Sequence, residues 1–323
     1  MRSFTHIDVQ TVKEACALLN GYDGRAMLNA GGTDLLSILK SESLIQYPEA
    51  LINIKTIRGL DLIERNRGGL RIGALTKLSD IAASPFIKER YGALAMAAGS
   101  VASPQIRNAG TIGGNLCQGV RCSYYRYARQ IGGPIICRRK GKGQCFAPAG
   151  DNRNHAILHA KRCFAVCPSD TAVALAALDA QVVIAGPKGN RRAAVVDLYE
   201  PLHITLGKDE MVTHIEIPEL KGETRQRFIK FTLSKPGDFA LVSVASVITE
   251  RHGLCEDARI VLGAVAPGPV RAKKAEHLIV GRRIDESSAR EAAEEALLGA
   301  RPLSNNAYKV EIAKTLVKRA CCR

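Results

Sequence analysis

Fifty-one residues in the middle of this chain follow no structural period. Between positions 117 and 167 apolar residues recur at neither the helical nor the strand spacing. Glycine, arginine, lysine and cysteine recur instead, as in Gly132-Gly133-Pro134 and Gly141-Lys142-Gly143. A loop this long inside a compact domain is unusual unless something besides an apolar core holds it. Six of the ten cysteines fall here: Cys117, Cys122, Cys137, Cys145, Cys163 and Cys167. Just before them runs Gly110-Thr111-Ile112-Gly113-Gly114-Asn115. A glycine loop lets backbone amides close on a phosphate, and thiolates are soft metal ligands. Side by side, they imply a nucleotide and a metal centre near enough to exchange electrons.

The flanking sequence is regular. Residues 11–19 read as a helix with Thr11 as cap and Glu14 in the capping-box position. A strand over 26–30 ends in Gly31-Gly32-Thr33-Asp34, and helical character resumes over 35–40. Strands are expected at 51–54 and 69–72, with helical pattern at 78–81 and 93–98. After the irregular stretch come a helix over 171–180 and a strand over 181–185. The polar segment 222–226 marks a boundary between domains 1–222 and 223–323. Beyond it, 228–233, 240–249 and 257–265 are closely spaced strands, which favours antiparallel pairing. Helices over 288–298 and 307–317 complete a small α+β domain.

At 323 residues the chain can build two cores. Its net charge of +15 is dispersed. Zinc-finger spacing, a basic zipper and an aromatic-basic RNA motif are all lacking, so nucleic acid is not the expected partner. An acidic redox partner or an anionic substrate fits the charge equally well. No apolar run approaches the roughly 20 residues of a membrane span, and the first ten residues carry no signal core. No membrane association and a cytoplasmic location are therefore expected, where cysteines serve as thiols or metal ligands rather than disulfides. Cys16 and Cys255 read as small buried hydrophobes, and no role is assigned to Cys321 or Cys322.

Ala30-Gly31-Gly32-Thr33-Asp34 and Gly110-Thr111-Ile112-Gly113-Gly114-Asn115 share one form: a strand or turn, paired glycines, then a small polar residue. Each pair alone reads first as a turn. Neither is the G-x-G-x-x-G fingerprint, and no P-loop is present. In their full context, Leu28-Asn29-Ala30-Gly31-Gly32-Thr33-Asp34-Leu35 and Thr111-Ile112-Gly113-Gly114-Asn115-Leu116 resemble the two diphosphate loops of the FAD-binding subunit of the xanthine oxidase family of molybdenum hydroxylases. Pro168-Ser169-Asp170, Ile215-Glu216-Ile217-Pro218, the segment beginning Asp238-Phe239-Ala240, and Gly263-Ala264-Val265-Ala266-Pro267 with Arg271-Ala272 continue the resemblance in order.

The resemblance implies an α+β protein: a two-lobed FAD-binding domain of the vanillyl-alcohol-oxidase (PCMH) type, then a small C-terminal α+β domain. It implies that Leu28, Asn29, Ala30, Gly31, Gly32, Thr33, Asp34 and Leu35, with Thr111, Ile112, Gly113, Gly114 and Asn115, hold the diphosphate. Val101, Asp170, Val212 and Lys230 would contact the rest of FAD. No catalytic acid or base is expected. The chain has no molybdopterin domain and no C-x₄-C-x₂-C run for a [2Fe–2S] cluster. It is therefore expected to work beside a molybdopterin-binding large subunit and a [2Fe–2S] small subunit, with ferredoxin or NAD as electron carrier.

Cys122, Cys137, Cys145 and Cys163 are too widely spaced for a zinc ribbon or a ferredoxin run. Spacing alone is equally compatible with a metal site and with four unrelated thiols. Within the family, the stretch resembles the inserted loop of the FAD subunit of 4-hydroxybenzoyl-CoA reductase, which carries an additional [4Fe–4S] cluster. The resemblance rests on Arg121-Cys122-Ser123-Tyr124-Tyr125-Arg126, Cys137-Arg138-Arg139-Lys140-Gly141, Cys145-Phe146-Ala147 and the segment from Gly150 to Ile157. It implies Cys122, Cys137, Cys145 and Cys163 as ligands, with Cys167 the alternative fourth, because Asn154 precedes His155 where a cysteine would be needed. Cys117 goes with the flavin loop. His155 and His159 stand four apart without the Glu of H-E-x-x-H. The expected function is an electron-transfer subunit for reductive dehydroxylation of an aromatic acyl-CoA. The alternative is the same subunit in an oxidative hydroxylase or dehydrogenase for xanthine, aldehydes, CO or N-heterocycles.

Overall fold

The computed structural model describes residues 1–66, 68–234 and 237–322. Strands β1 (Thr5–Asp8), β2 (Ala26–Asn29) and β3 (Ala50–Asn53) form a parallel sheet in the order β1-β3-β2. Parallel neighbours need crossovers, and helices α1 (Val12–Tyr22) and α2 (Leu35–Ser41) lie in them. Thr11 caps α1, its hydroxyl accepting from the Glu14 amide at 3.1 Å. The Glu14 carboxylate reaches back to the amide of Gln10 rather than of Thr11, so the expected box is displaced by one residue.

Strands β4 (Ile63–Asn66) and β5 (Gly69–Gly73) begin a second sheet. Five short helices follow: α3 (Leu78–Ala83), α4 (Pro85–Arg90), α5 (Gly92–Gly99), α6 (Pro104–Ala109) and α7 (Ile112–Cys117). Next come the irregular stretch, with the short α-helix α8 (Ser123–Arg126) and three single 3-10 turns, and then α9 (Asp170–Ala177). Strands β6 (Gln181–Gly186), β7 (Gly189–Ala194) and β8 (Met211–Pro218) complete the sheet in the antiparallel order β4-β5-β8-β6-β7. Every residue of α9 is buried, because its alanines let α5 on one side and the third sheet on the other approach closely.

That sheet contains β9 (Thr224–Phe231), β10 (Val242–Arg251), β11 (Leu254–Gly263) and β12 (Val270–Arg271), antiparallel as expected. Along β10 the side chains alternate faces. Val242, Val244 and Ile248 join the core beneath α10 (Lys273–Ile279), α11 (Glu286–Ala296) and α12 (Tyr308–Cys321), whereas Ala245 and Val247 face the larger core around α9.

The expected boundary at 222–226 partly belongs to β9. Thr224, Arg225, Gln226 and Arg227 sit on an edge strand where half-exposed polar side chains are tolerated. Strand β7, with the polar sequence GNRRAA, likewise occupies the rim of the other sheet. No helix among the described residues is long and apolar enough to cross a membrane.

The second half of the irregular stretch is held by backbone and side-chain hydrogen bonds to the C-terminal domain. The amides of Ile157 and Leu158 donate to the Val265 carbonyl, and the Arg301 amide donates to Ile157. Asn152 bonds to Ser304 and to the amide of Asn305. Lys309, fully buried, donates to the carbonyls of His155 at 3.0 Å and Ala264 at 2.6 Å. The C-terminal domain thus clamps the second half of the insert.

Candidate functional site

The two glycine loops meet back to back. A Cβ on Gly31 would lie 2.2 Å from the Ala109 carbonyl oxygen and 2.9 Å from Gly110 Cα. Only a residue without a side chain permits this approach. Gly32 has a φ of +70°, a left-handed conformation that glycine adopts without strain.

Where the loops meet, a cavity of about 650 Å³ opens. Leu28, Ala30, Gly31, Gly32, Thr33, Asp34, Leu35, Val101, Thr111, Gly114 and Asn115 all line it. The remaining expected residues stand behind the wall. Gly113 packs on Ala74, Ile112 is core, and the Asn29 side-chain oxygen is buried without a hydrogen-bond partner. Val212 is buried in the core under β8 and does not reach the cleft. Asp170 and Lys230 pair with each other at 2.7 Å. Lys230 also donates to the Ser100 carbonyl, so this pair braces the segment that presents Val101.

The loops differ in what they offer a ligand. Among the described residues, the amides of Gly31, Gly32 and Thr33 donate to nothing in the chain. Three successive free donors facing a cleft suit an anionic group. In the second loop, Ile112 and Gly113 donate to Thr76 and Ala74, and Gly114 donates to the Thr111 hydroxyl. Its amides hold the floor of the cleft together, which corrects the expectation that both loops aim amides at phosphate. Asn115 is also committed, its side-chain oxygen accepting from Ser169 and Thr171, each at 2.6 Å.

Asp34 ties the cleft to the insert. Its carboxylate accepts from the Gly119 amide, from Arg126 at 2.9 Å and from Arg121 at 2.8 Å. Burial brings the Arg121 pKa down to about 10, with Asp34 opposing the fall. The free N–H groups, the nearby guanidinium and the glycines that a Cβ would block all fit a nucleotide diphosphate.

Cys122, Cys137, Cys145 and Cys163 line a second, small cavity with Tyr124, Tyr125, Arg138, Arg139, Phe146 and Ala165. Burial pushes the Cys122 thiol up to about 11, with Cys163 and Cys137 adding to the rise. Cys163 is likewise raised by burial. His155 Nε2 lies 3.3 Å from the Cys122 sulfur. Cys167 is packed in the main core and Cys117 faces the nucleotide cleft, so neither reaches this cage. His159 is exposed and no helix joins it to His155, which removes any helical zinc pair. No group of three or more His, Cys, Asp or Glu among the described residues is arranged to hold a single metal ion.

Tyr125 and Arg139 line both cavities. They form the partition, with Arg139 Cζ 5.9 Å and Lys140 Nζ 5.5 Å from the Tyr125 ring centroid. Sequence reasoning passed over this partition, and also over Leu202, His203 and Ile204 on the far wall of the cleft.

A family model described as the FAD binding domain in molybdopterin dehydrogenase matches residues 2–220, and one for the CO dehydrogenase flavoprotein C-terminal domain matches 228–323. The chain belongs to the FAD-binding medium subunits of the molybdenum hydroxylases. It is a flavoprotein component of an oxidoreductase. Its relatives include the aldehyde oxidoreductase FAD-binding subunit PaoB of Escherichia coli, 34% identical over 97% of this chain and 96% of that one. The glyceraldehyde dehydrogenase medium chain of Sulfolobus acidocaldarius is 26% identical over 98% and 96%. Among solved structures, carbon monoxide dehydrogenase from Hydrogenophaga pseudoflava superposes with a TM-score of 0.79 at 27% identity, covering 99% of this chain and 96% of that one.

Proposed function

We propose that this chain is the FAD-holding electron-transfer subunit of an oxidative molybdenum hydroxylase of the aldehyde-oxidising type. We further propose that Cys122, Cys137, Cys145 and Cys163 hold a [4Fe–4S] cluster. The observation that carries the reading is the shared wall: the cleft bearing the glycine loops and the four-cysteine cage meet at Tyr125 and Arg139.

The oxidative direction is favoured over reductive dehydroxylation because the relatives named above oxidise aldehydes or carbon monoxide. A [4Fe–4S] site suits the cage because cluster ligands stand farther apart than the ligands of one ion, and thiolates are the ligands such clusters take. FAD, once bound, supplies exchange of two electrons at once or of one at a time. The chain's own groups bind and orient. The amides of Gly31, Gly32 and Thr33 receive the diphosphate, Asp34 holds the insert against the cleft, and the Tyr125–Arg139 partition keeps the two sites adjacent but separate. Substrate chemistry belongs to the molybdopterin-binding large subunit, reached through a [2Fe–2S] small subunit, and electrons leave to ferredoxin or NAD.

Anaerobically purified full-length chain should carry FAD with close to four iron and four sulfide. Cys145→Ser should lose the iron and keep the flavin. With its co-purified partner subunits, the complex should reduce an electron acceptor at the expense of an aromatic or aliphatic aldehyde. An iron-free protein sinks the cluster, and a complex that turns over acyl-CoA but no aldehyde sinks the oxidative reading.

A further inference from the structure

Lys140 closes the turn that begins at Cys137. Its amide donates to the Cys137 carbonyl, and Gly141, at φ +95°, reverses the chain immediately after it. The Lys140 ammonium lies 5.5 Å from the ring centroid of Tyr125, which lines the cage. Nζ is buried and has no hydrogen-bond partner among the described residues. It makes no ion pair to a carboxylate among those residues, unlike the part-buried Arg121, Arg126, Lys230 and Arg259, each paired with an aspartate. Burial lowers its pKa, and ionisation of Cys137 and Cys122 would oppose that fall and favour its charge.

A buried cation without an acceptor is a net cost unless something anionic completes its surroundings. Of the two arginines that line the cage, Arg138 is exposed, and Arg139 is occupied: it donates to the Pro201 carbonyl at 3.1 Å and hydrogen-bonds Cys163. Lys140 therefore has the free charge. Four thiolates around a [4Fe–4S]²⁺ core carry a net charge of about −2, and one-electron reduction adds a further negative charge without a proton. A cation beside such a cluster favours the reduced form more than the oxidised one.

We propose that Lys140 is the counter-charge of the cysteine cage, a positioning residue that raises the cluster's reduction potential and so sets the direction of electron flow across the Tyr125 partition. This rests on the cluster reading above.

The test is a redox titration of the anaerobically reconstituted full-length chain, followed by electron paramagnetic resonance, for wild type, Lys140→Met and Lys140→Arg. Iron, FAD and melting temperature are measured alongside. Lys140→Met is expected to keep FAD and fold and to shift the cluster midpoint to a lower potential, with Lys140→Arg restoring it. Loss of iron in Lys140→Met alone, with normal FAD and melting temperature, also supports the charge role. An unchanged midpoint in Lys140→Met overturns the proposal while leaving the cluster in place, as does equal iron loss in both variants, which would indicate packing. Iron-free wild type overturns the cluster reading itself and this inference with it.

Discussion

Replacing Gly31 by alanine tests the cleft where its two walls touch. The added Cβ would stand 2.2 Å from the Ala109 carbonyl oxygen and 2.9 Å from Gly110 Cα, both backbone atoms that cannot rotate away. Restoring a contact of roughly 3.5 Å requires the two loops to part by about 1 Å. Overpacking of this size costs about 1–3 kcal/mol. Because the loops that part are the two walls of the cleft, much of the cost should fall on FAD. At about 2 kcal/mol the dissociation constant rises roughly 30-fold. Flavin fluorescence quenching on titrating FAD into apoprotein measures the constant, and the visible-to-ultraviolet absorbance ratio measures retained flavin. Two controls separate the causes. Gly92→Ala begins α5 with nothing within 4 Å of the new Cβ, and should be silent. Gly113→Ala meets Ala74 at 2.8 Å on the side away from the cleft, and should lower the melting temperature more than the affinity. If Gly31→Ala binds FAD as tightly as Gly92→Ala, the contact between loops does not shape the flavin site.

Three further outcomes are expected. Asp34→Ala removes the acceptor shared by Gly119, Arg121 and Arg126, at about 2–3 kcal/mol; hydrogen exchange should then rise over 119–126 and stay low in β10, and unchanged protection at 119–126 would refute the latch. Lys230→Met leaves the Asp170 carboxyl, already raised in pKa by burial, without its cation. The loss of about 3–5 kcal/mol is read by urea unfolding, and a double-mutant cycle with Asp170→Asn that is strictly additive would argue against the pair. Lys309 gives up its proton near pH 7 in the folded chain because burial lowers its pKa, whereas an unfolded lysine keeps it to about 10.4. The unfolded state then binds more protons in between, so stability should rise with pH from about 7 towards 10; Lys309→Met should flatten that rise, and an equal slope in the variant would refute the assignment.

The elements that sequence reasoning placed well are those whose signal is local. The helix at 12–22 announces itself through Thr11, and the two glycine strings through spacing that few other sites share. Spacing left the cysteines open between a metal site and unrelated thiols; only the fold brings Cys122, Cys137, Cys145 and Cys163 to one cavity and puts Cys167 in the main core. Long-range features were not legible. That Lys230 faces Asp170 instead of the cleft depends on β9 running past the start of α9. That the amides of the second glycine loop are already taken depends on carbonyls at Ala74 and Thr76, some forty residues away in sequence. The partition residues gave no signal, because Tyr125 and Arg139 are unremarkable until two cavities appear on either side of them.

The clamp on the insert separates sequence order from mechanical ownership. Residues 152–167 follow the flavin loop in the chain, yet their carbonyls and amides are engaged by Val265, Ala266, Arg301, Asn306 and Lys309. A chimera that joined the first 220 residues to another relative's tail would keep all four cage cysteines and lose the scaffold that holds one side of them still. The cage should therefore transplant between relatives only together with the C-terminal domain, as a pair of segments far apart in sequence.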